Sequence, residues 1–282
     1  IAAARGRRFV PRAPRQVGGG CINRAMVLTD GTEHVFVKLN SAERLDMFEA
    51  EAAGLAEMAD SGTIRVPQPL CTGTAGPEAF IAMEYIELGS ARGDAAAAGR
   101  QLAAMHRTRA PRFGWYRDNT IGSTPQSNRQ QDDWVAFWRS ERLGLQLDLA
   151  TRNGFGGRLR SRGERLLAAF PVLVDHAPEP SLLHGDLWGG NLGFARAGQP
   201  VIFDPAVYYG DRETDLAMTE LFGGFGPVFH AAYNEVWPID AGYSTRRTLY
   251  NLYHILNHVN LFGSGYVRQA ETMIDRLLAE TG

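Results

Sequence analysis

Two carboxylates and an amide stand at spacings that phosphoryl transfer can use. The stretch His184-Gly185-Asp186-Leu187-Trp188-Gly189-Gly190-Asn191 sets Asp186 and Asn191 five residues apart on a glycine-broken loop, and Phe203-Asp204-Pro205 adds a second carboxylate thirteen residues beyond Asn191. Moving a phosphoryl group from a nucleotide to a hydroxyl needs one carboxylate to accept the hydroxyl proton. It also needs separate oxygens to hold Mg²⁺ against the phosphates. Asp186 suits the first task; Asn191 and Asp204 suit the second. Gly, Asp and Asn are equally what an ordinary turn is made of, so the weight rests on what the chain places around the loop.

A triphosphate has to be held as well, and the upstream sequence offers groups for that in order. Val17-Gly18-Gly19-Gly20-Cys21-Ile22-Asn23 is followed by Ala25-Met26-Val27-Leu28, then Asp30-Gly31, then Val35-Phe36-Val37-Lys38-Leu39. Asp-Gly between two β-prone runs signals an antiparallel hairpin. Gly18, Gly19 and Gly20 would form a strand turn whose backbone N–H groups can cradle phosphates. No Gly-Lys-Ser/Thr follows, so this is not a Walker loop. Lys38 ends an apolar strand and either wants a counter-charge or is an edge-strand lysine facing water.

Residues 41–59 suit a helix, with Ser41 as N-cap and an apolar stripe through Leu45, Phe48, Ala52, Leu55, Met58 and Ala59. Glu51 falls inside that stripe, Glu49 at its margin, and Glu43 and Glu57 face away. A carboxylate on a buried face needs a cation, and Lys38 is the candidate; such a lysine–glutamate pair positions nucleotide phosphates in kinases. Residues 80–86 read as a strand, and in a nucleotide kinase the backbone of Glu84, Tyr85 and Ile86 would meet the adenine edge. Residues 66–70, with Pro67 and Pro69, read as an extended connector.

Glu87-Leu88-Gly89-Ser90 breaks the β character and places a domain boundary near residue 87. Helical stretches are expected over 95–107, 134–149, 159–170 and 249–261, with Val201-Ile202-Phe203 as the strand delivering Asp204. The loop from Phe113 to Gly122 is aromatic, broken by glycine and long for a connection, which fits either function or the packing of Trp115. Asp215 opens a helical segment, where an N-cap is the plain reading. His254 and His258 stand four residues apart, but with no third ligand and no general-base glutamate they read as packed or hydrogen-bonded.

Composition limits the alternatives. With 44% hydrophobic and 21% charged residues the chain is of ordinary globular type, and its net charge of −2 gives no reason to expect nucleic acid or an anionic membrane as partner. Arg5, Arg7, Arg8, Arg12 and Arg15 cluster in what reads as a solvated arm. Two cysteines, Cys21 and Cys71, exclude a disulfide framework and a four-thiolate zinc site. There is no apolar run of transmembrane length and no signal-peptide core, so a cytoplasmic protein is expected. The chain opens on Ile1 rather than Met, which leaves its true N-terminus open.

The order of Gly-rich turn, Lys38, Glu51, His184-x-Asp186-x4-Asn191 and Asp204 resembles the protein-kinase-like fold. That implies an α+β, two-lobed architecture: a small antiparallel-β N-lobe with one helix, and a larger, mainly helical C-lobe. His-Gly-Asp at 184–186 and Asp-Pro at 204–205 resemble the small-molecule branch that holds aminoglycoside and choline kinases. More narrowly, the chain is similar to the fructosamine 3-kinase, or ketosamine kinase, family. The motifs that carry this are Gly18 to Asn23, Phe48 to Leu55, Phe113-Gly114-Trp115 through Asn128, His184 to Asn191, and Leu256-Asn257-His258-Val259-Asn260-Leu261-Phe262-Gly263. The resemblance spans almost the whole chain and departs at the front, where the family's leading helix is expected to be shortened or absent before Val17.

The resemblance implies ATP- and Mg²⁺-dependent phosphorylation of the sugar 3-hydroxyl of a fructosamine or ribulosamine, free or on a glycated protein. Residues 1–86 would form the nucleotide-binding lobe and 87–282 the lobe with catalytic loop and substrate pocket. It makes Asp186 the base, Asn191 and Asp204 the Mg²⁺ ligands, Lys38 with Glu51 the phosphate-anchoring pair, and Trp188 and Asp215 the border of the sugar pocket. Cys21 becomes a thiol that could form a disulfide or stay reduced and silent. Monomer and dimer both remain open. Two rivals stand beside this reading: the same fold with an aminoglycoside, choline or another amino alcohol as acceptor, and a nucleotide-binding regulator without turnover.

Overall fold

A computed structural model of the chain describes residues 1–6, 8–18, 22–89 and 93–281. Its N-terminal region is a five-stranded antiparallel sheet with a helix against one face. A short helix α1 (Ala2–Arg5) precedes β1 (Arg12–Val17), β2 (Arg24–Thr29), β3 (His34–Ser41), α2 (Leu45–Asp60), β4 (Pro69–Ala75) and β5 (Glu78–Glu84), and the sheet order is β1-β2-β3-β5-β4. The Asp30-Gly31 hairpin forms as expected: Gly31 has a φ of 103°, and Asp30 Oδ1 accepts the N–H groups of Thr32 and Glu33, each at 2.9 Å.

Alternation along β3 sorts its side chains between two faces. Val35 and Val37 join Phe9 and Ala82 in a small outer core, which leaves Phe36 and Lys38 facing α2. That helix starts later than expected: a single 3₁₀ turn, Ala42–Arg44, intervenes, and Ser41 makes no side-chain cap. Phe48, Leu55 and Met58 of α2 are fully buried, each contributing about 1.5–3 kcal/mol, and so hold the helix that carries Glu51.

The rest of the chain is mostly helical. α3 (Ala95–His106) leads through a hairpin, β6 (Asn119–Ile121) and β7 (Thr124–Gln126), to α4 (Trp134–Phe137), a π-helical stretch Trp138–Gly144, and α5 (Leu145–Arg152). After α6 (Arg158–Leu173) come β8 (Ser181–Leu183), β9 (Leu192–Phe194), β10 (Pro200–Ile202) and β11 (Tyr208–Gly210), then α7 (Glu213–Leu221), α8 (Pro227–Val236), α9 (Tyr243–Phe262) and α10 (Val267–Ala279). Two small antiparallel pairs, β8 with β11 and β9 with β10, frame the loop 184–191. One continuous apolar core runs from Phe48 and Leu55 through Ile81 to Leu102, Leu182 and Ile255, joining sheet and helices. The architecture is the α+β, two-lobed arrangement expected from the motif order. No helix among the described residues is long and apolar enough to cross a membrane.

Candidate active site

The loop after β8 is shaped by two residues that accept no simple replacement. Gly185 has a φ of 81°, and a Cβ there would stand 2.1 Å from the Ala206 carbonyl oxygen, so only glycine fits. His184 bridges the loop to the end of β10. Its Nε2 lies 2.9 Å from the Phe203 carbonyl, which can only accept, so Nε2 carries the proton and Nδ1 accepts the Asp186 N–H at 3.2 Å. Burial lowers the pKa of His184 and keeps this tautomer neutral. Asn191 donates its Nδ2 to the Asp186 carbonyl at 2.9 Å, which turns Oδ1 away from the loop.

Beneath this loop lies Asp215, whose position corrects the expectation that it borders a sugar pocket. It is 1% exposed on the first turn of α7 and is absent from the lining of the cleft. Its Oδ2 accepts the His184 N–H at 2.7 Å and its Oδ1 the Gly185 N–H at 2.8 Å. Burial would raise its pKa, but the hydrogen bond from His106 and the loop N–H groups hold it below the usual carboxylate range. His106 on α3 lies 3.2 Å from Asp215 through Nε2 and 2.8 Å from the Tyr233 hydroxyl through Nδ1. Arg212 donates to that same hydroxyl oxygen at 3.3 Å, so the hydroxyl proton goes to Nδ1 and the imidazole N–H to Asp215. The carboxylate therefore props the loop from below. A sequence reading could see its type, but not the direction in which it points.

Lys38 reaches its expected partner, Glu51, and also pairs with Asp204, which was expected only as a metal ligand. Its ammonium lies 2.6 Å from Glu51 and 2.5 Å from Asp204, and the lysine is only 6% exposed. Burial works against the charge, but the two carboxylates raise its pKa above the ordinary lysine value. Asp204 is the only non-glycine residue with positive φ among those described, at 60°; such backbone strain gathers at functional sites. It gives Oδ1 to Lys38 while its side chain remains 44% exposed, which leaves Oδ2 open to the cleft. Asn191 Oδ1 and Asp204 Oδ2 are hard oxygen donors of the kind Mg²⁺ prefers, so the donor set fits that ion. Asp186, half-buried between them, has its pKa pushed up to about 7 by burial and by the Asp204 and Asp215 carboxylates.

These groups face a single cleft of about 930 Å³ between sheet and helices. Gly18, Phe36, Met83, Tyr85, Ile86 and Phe203 are among the residues that line it. Glu84 also lines it, though its N–H already bonds the Gln68 carbonyl at 2.8 Å and its carboxylate pairs with Arg65 at 2.6 Å. Gly19, Gly20 and Cys21 lie outside the described residues. Trp188, 41% exposed, also lines it, as do Phe222, His258 and Tyr266. His258 packs 5.0 Å from the Phe222 ring and 5.0 Å from the Tyr266 ring, and donates its Nδ1 proton to the His254 carbonyl at 2.8 Å.

His254 and His258 are packed and hydrogen-bonded as expected, and they also form part of the wall. Asn119 to Gly122 also line the cleft, from the loop expected to be long and aromatic. In that loop Trp115 is buried at 3% exposure, as the packing expectation for the segment has it. His176, Asp211 and Glu213 also lie close together. Asp211 already accepts from His176 and Tyr250, at 2.8 and 2.6 Å, and Glu213 takes the Arg246 guanidinium at 2.6 and 2.9 Å. That cluster anchors the start of α7.

The family model described as fructosamine kinase matches residues 1–280. A protein named probable ketoamine kinase from Synechocystis is 46% identical over 280 residues, covering 99% of this chain and 94% of the relative. The chloroplastic protein-ribulosamine 3-kinase of Oryza sativa subsp. japonica is 47% identical over 268 residues, covering 93% and 78%. Among solved structures, a candidate fructosamine-3-kinase from Haemophilus somnus superposes with a TM-score of 0.90 at 28% identity, over 98% of this chain and 95% of that one. An aminoglycoside phosphotransferase shares the fold with a TM-score of 0.64 at 14% identity, over 97% and 95%.

Proposed function

The chain belongs to the fructosamine kinase family, and on that premise we propose that it transfers the γ-phosphoryl group of ATP to the sugar 3-hydroxyl of a ketosamine, a fructosamine or ribulosamine. The observation that carries the proposal is the convergence of Lys38, Glu51 and Asp204, at 2.6 and 2.5 Å, on the cleft that Asp186 and Asn191 also line. Five polar side chains far apart in sequence meet at one place, and phosphoryl transfer asks a protein mainly for alignment and charge.

In this reading Asp186 takes the proton of the 3-hydroxyl as its oxygen bonds to phosphorus and the bond to the departing ADP breaks. Lys38, held by Glu51, turns from Asp204 toward the nucleotide phosphates. Asn191 and Asp204 would hold Mg²⁺, which when bound neutralises phosphate charge. Gly18 lies on the phosphate side of the nucleotide, and the backbone of Tyr85 and Ile86 faces the adenine, alongside Glu84. Trp188 offers an aromatic face to the sugar, with His258 and Tyr266 behind it. The nucleotide-binding lobe, 1–86, the catalytic lobe, 87–282, and a cytoplasmic setting belong to the same proposal, as does a substrate that is either a small sugar amine or a glycated lysine of a protein.

Measuring ATP consumption against fructoselysine, ribuloselysine, kanamycin and choline tests the acceptor. Turnover on one or both ketosamines is expected; turnover on kanamycin or choline alone would contradict the proposal.

A further inference from the structure

Glu57 is a carboxylate of α2 that the phosphate-anchoring pair does not use. Six residues after Glu51, it points about 120° round the helix from it. Both its oxygens are taken: the Trp115 indole N–H donates to Oε2 at 2.6 Å and the Tyr209 hydroxyl to Oε1 at 2.7 Å. Both donors are neutral and buried, Trp115 at 3% and Tyr209 at 9% exposure. The pKa of Tyr209 is raised by burial and by Glu57 itself, so the phenol stays a donor.

The two donors also belong to segments that grip each other. Gly114 and Tyr209 exchange backbone hydrogen bonds at 2.8 and 2.9 Å. β11, which contains Tyr209, pairs with β8, whose last residue leads straight into His184. α2 presses on the same region through its backbone, since a Cβ on Gly54 would stand 2.9 Å from the Val207 side chain. Asp204 is five residues before Tyr209 in the chain. The end of α2 is thus fastened to the segment that runs on from Asp204, while the middle of the helix offers Glu51 to Lys38.

We infer that Glu57 is a positioning residue for phosphoryl transfer: through Trp115 and Tyr209 it fixes α2 against the strand that follows Asp204, and so sets the Lys38–Glu51–Asp204 arrangement. The inference rests on the kinase reading of the cleft, and nothing in the motif order assigns Glu57 this part.

The test uses the full chain. Glu57→Leu removes both acceptors. Glu57→Gln keeps both bonds, because its Oε1 accepts from Trp115 and its amide N–H donates to the Tyr209 oxygen once the hydroxyl turns. Glu57→Leu is expected to lower kcat/KM for ATP about tenfold or more, mainly through KM for ATP, with KM for the ketosamine changed less than about threefold. Glu57→Gln should return kcat/KM for ATP to within about threefold of the parent. Tyr209→Phe, which removes a hydroxyl without opening a large void, should give an intermediate loss and carries the same test if Glu57→Leu does not fold.

Hydrogen exchange reads the same variants without any turnover: the amides of residues 45–60 should exchange faster in Glu57→Leu and in Tyr209→Phe than in the parent. Unchanged exchange in both variants overturns the inference, whatever acceptor the enzyme uses. So does an equal loss of activity in Glu57→Gln and Glu57→Leu, or a loss divided equally between ATP and ketosamine. A parent protein silent on every acceptor would count against the functional reading alone, and exchange would still decide this one.

Discussion

With its pKa pushed up to about 7 by burial and by the Asp204 and Asp215 carboxylates, Asp186 carries a proton in many molecules below neutral pH. A protonated carboxyl cannot take up a hydroxyl proton. The value of kcat/KM should therefore climb as pH rises through roughly 7 and level off above, and a profile flat between about pH 5 and 8 would contradict the assignment. Asp215 acts on the same loop from below. In Asp215→Asn the amide keeps one acceptor and turns a donor toward a backbone N–H, leaving that group unpaired; a loss of about 2–4 kcal/mol in stability is expected, with a fall in kcat. Thermal unfolding and steady-state kinetics on the same preparation check both, and unchanged values would refute the propping role. Lys38 and Glu51 could be linked in advance because a charge on an apolar strand or stripe demands a partner. Asp215 could not: an Asp that opens a helix reads as a cap whichever way it faces, and its backbone partners are 30 and 31 residues away in the chain.

Among the elements, the least legible were the two edges of the sheet. β1 contains Pro14 and shifts register between Arg12 and Arg15; β4 starts at Pro69 and shifts between Pro69 and Cys71. Proline is tolerated at a sheet edge because the missing N–H would face outward, and bulges belong there for the same reason. Those features hide a strand from pattern reading, so β1 looked like a solvated arm and the start of β4 like a connector. The inner hairpin and α2 were plain, since Asp-Gly and an unbroken apolar stripe are strong signals. Helix contacts made through glycine leave no such trace. A Cβ on Gly99 of α3 would meet the Phe229 carbonyl oxygen of α8 at 2.3 Å. This close approach brings His106 on α3 to Tyr233 on α8, and so to Asp215. Gly99→Val should push the helices apart, cost about 1–3 kcal/mol or more by overpacking, and lower kcat through the loop that Asp215 supports. A variant with parent-like melting and turnover would show that the contact is slack.

At the scale of the whole molecule, the cleft draws one wall from the sheet and α2 and the other from the helical part. The order of its polar motifs along the chain was readable, and with it the fold. The aromatic part of its lining was not, because Phe222, His258 and Tyr266 come from the end of α7, from α9 and from the turn after it. A nucleotide that bridges both walls stabilises the native state by mass action, by about 2.7 kcal/mol at a hundredfold excess over Kd. ATP with Mg²⁺ should therefore raise the melting temperature, and EDTA should remove most of the rise; a shift indifferent to EDTA would speak against a metal held by Asn191 and Asp204. The central claim is that Asp186 performs proton transfer in a cleft that holds nucleotide without it. It is tested most directly by measuring ketosamine turnover and ADP affinity side by side in Asp186→Ala. Turnover should vanish while ADP affinity stays within about threefold of the parent, and parent-like turnover in that variant would contradict the account.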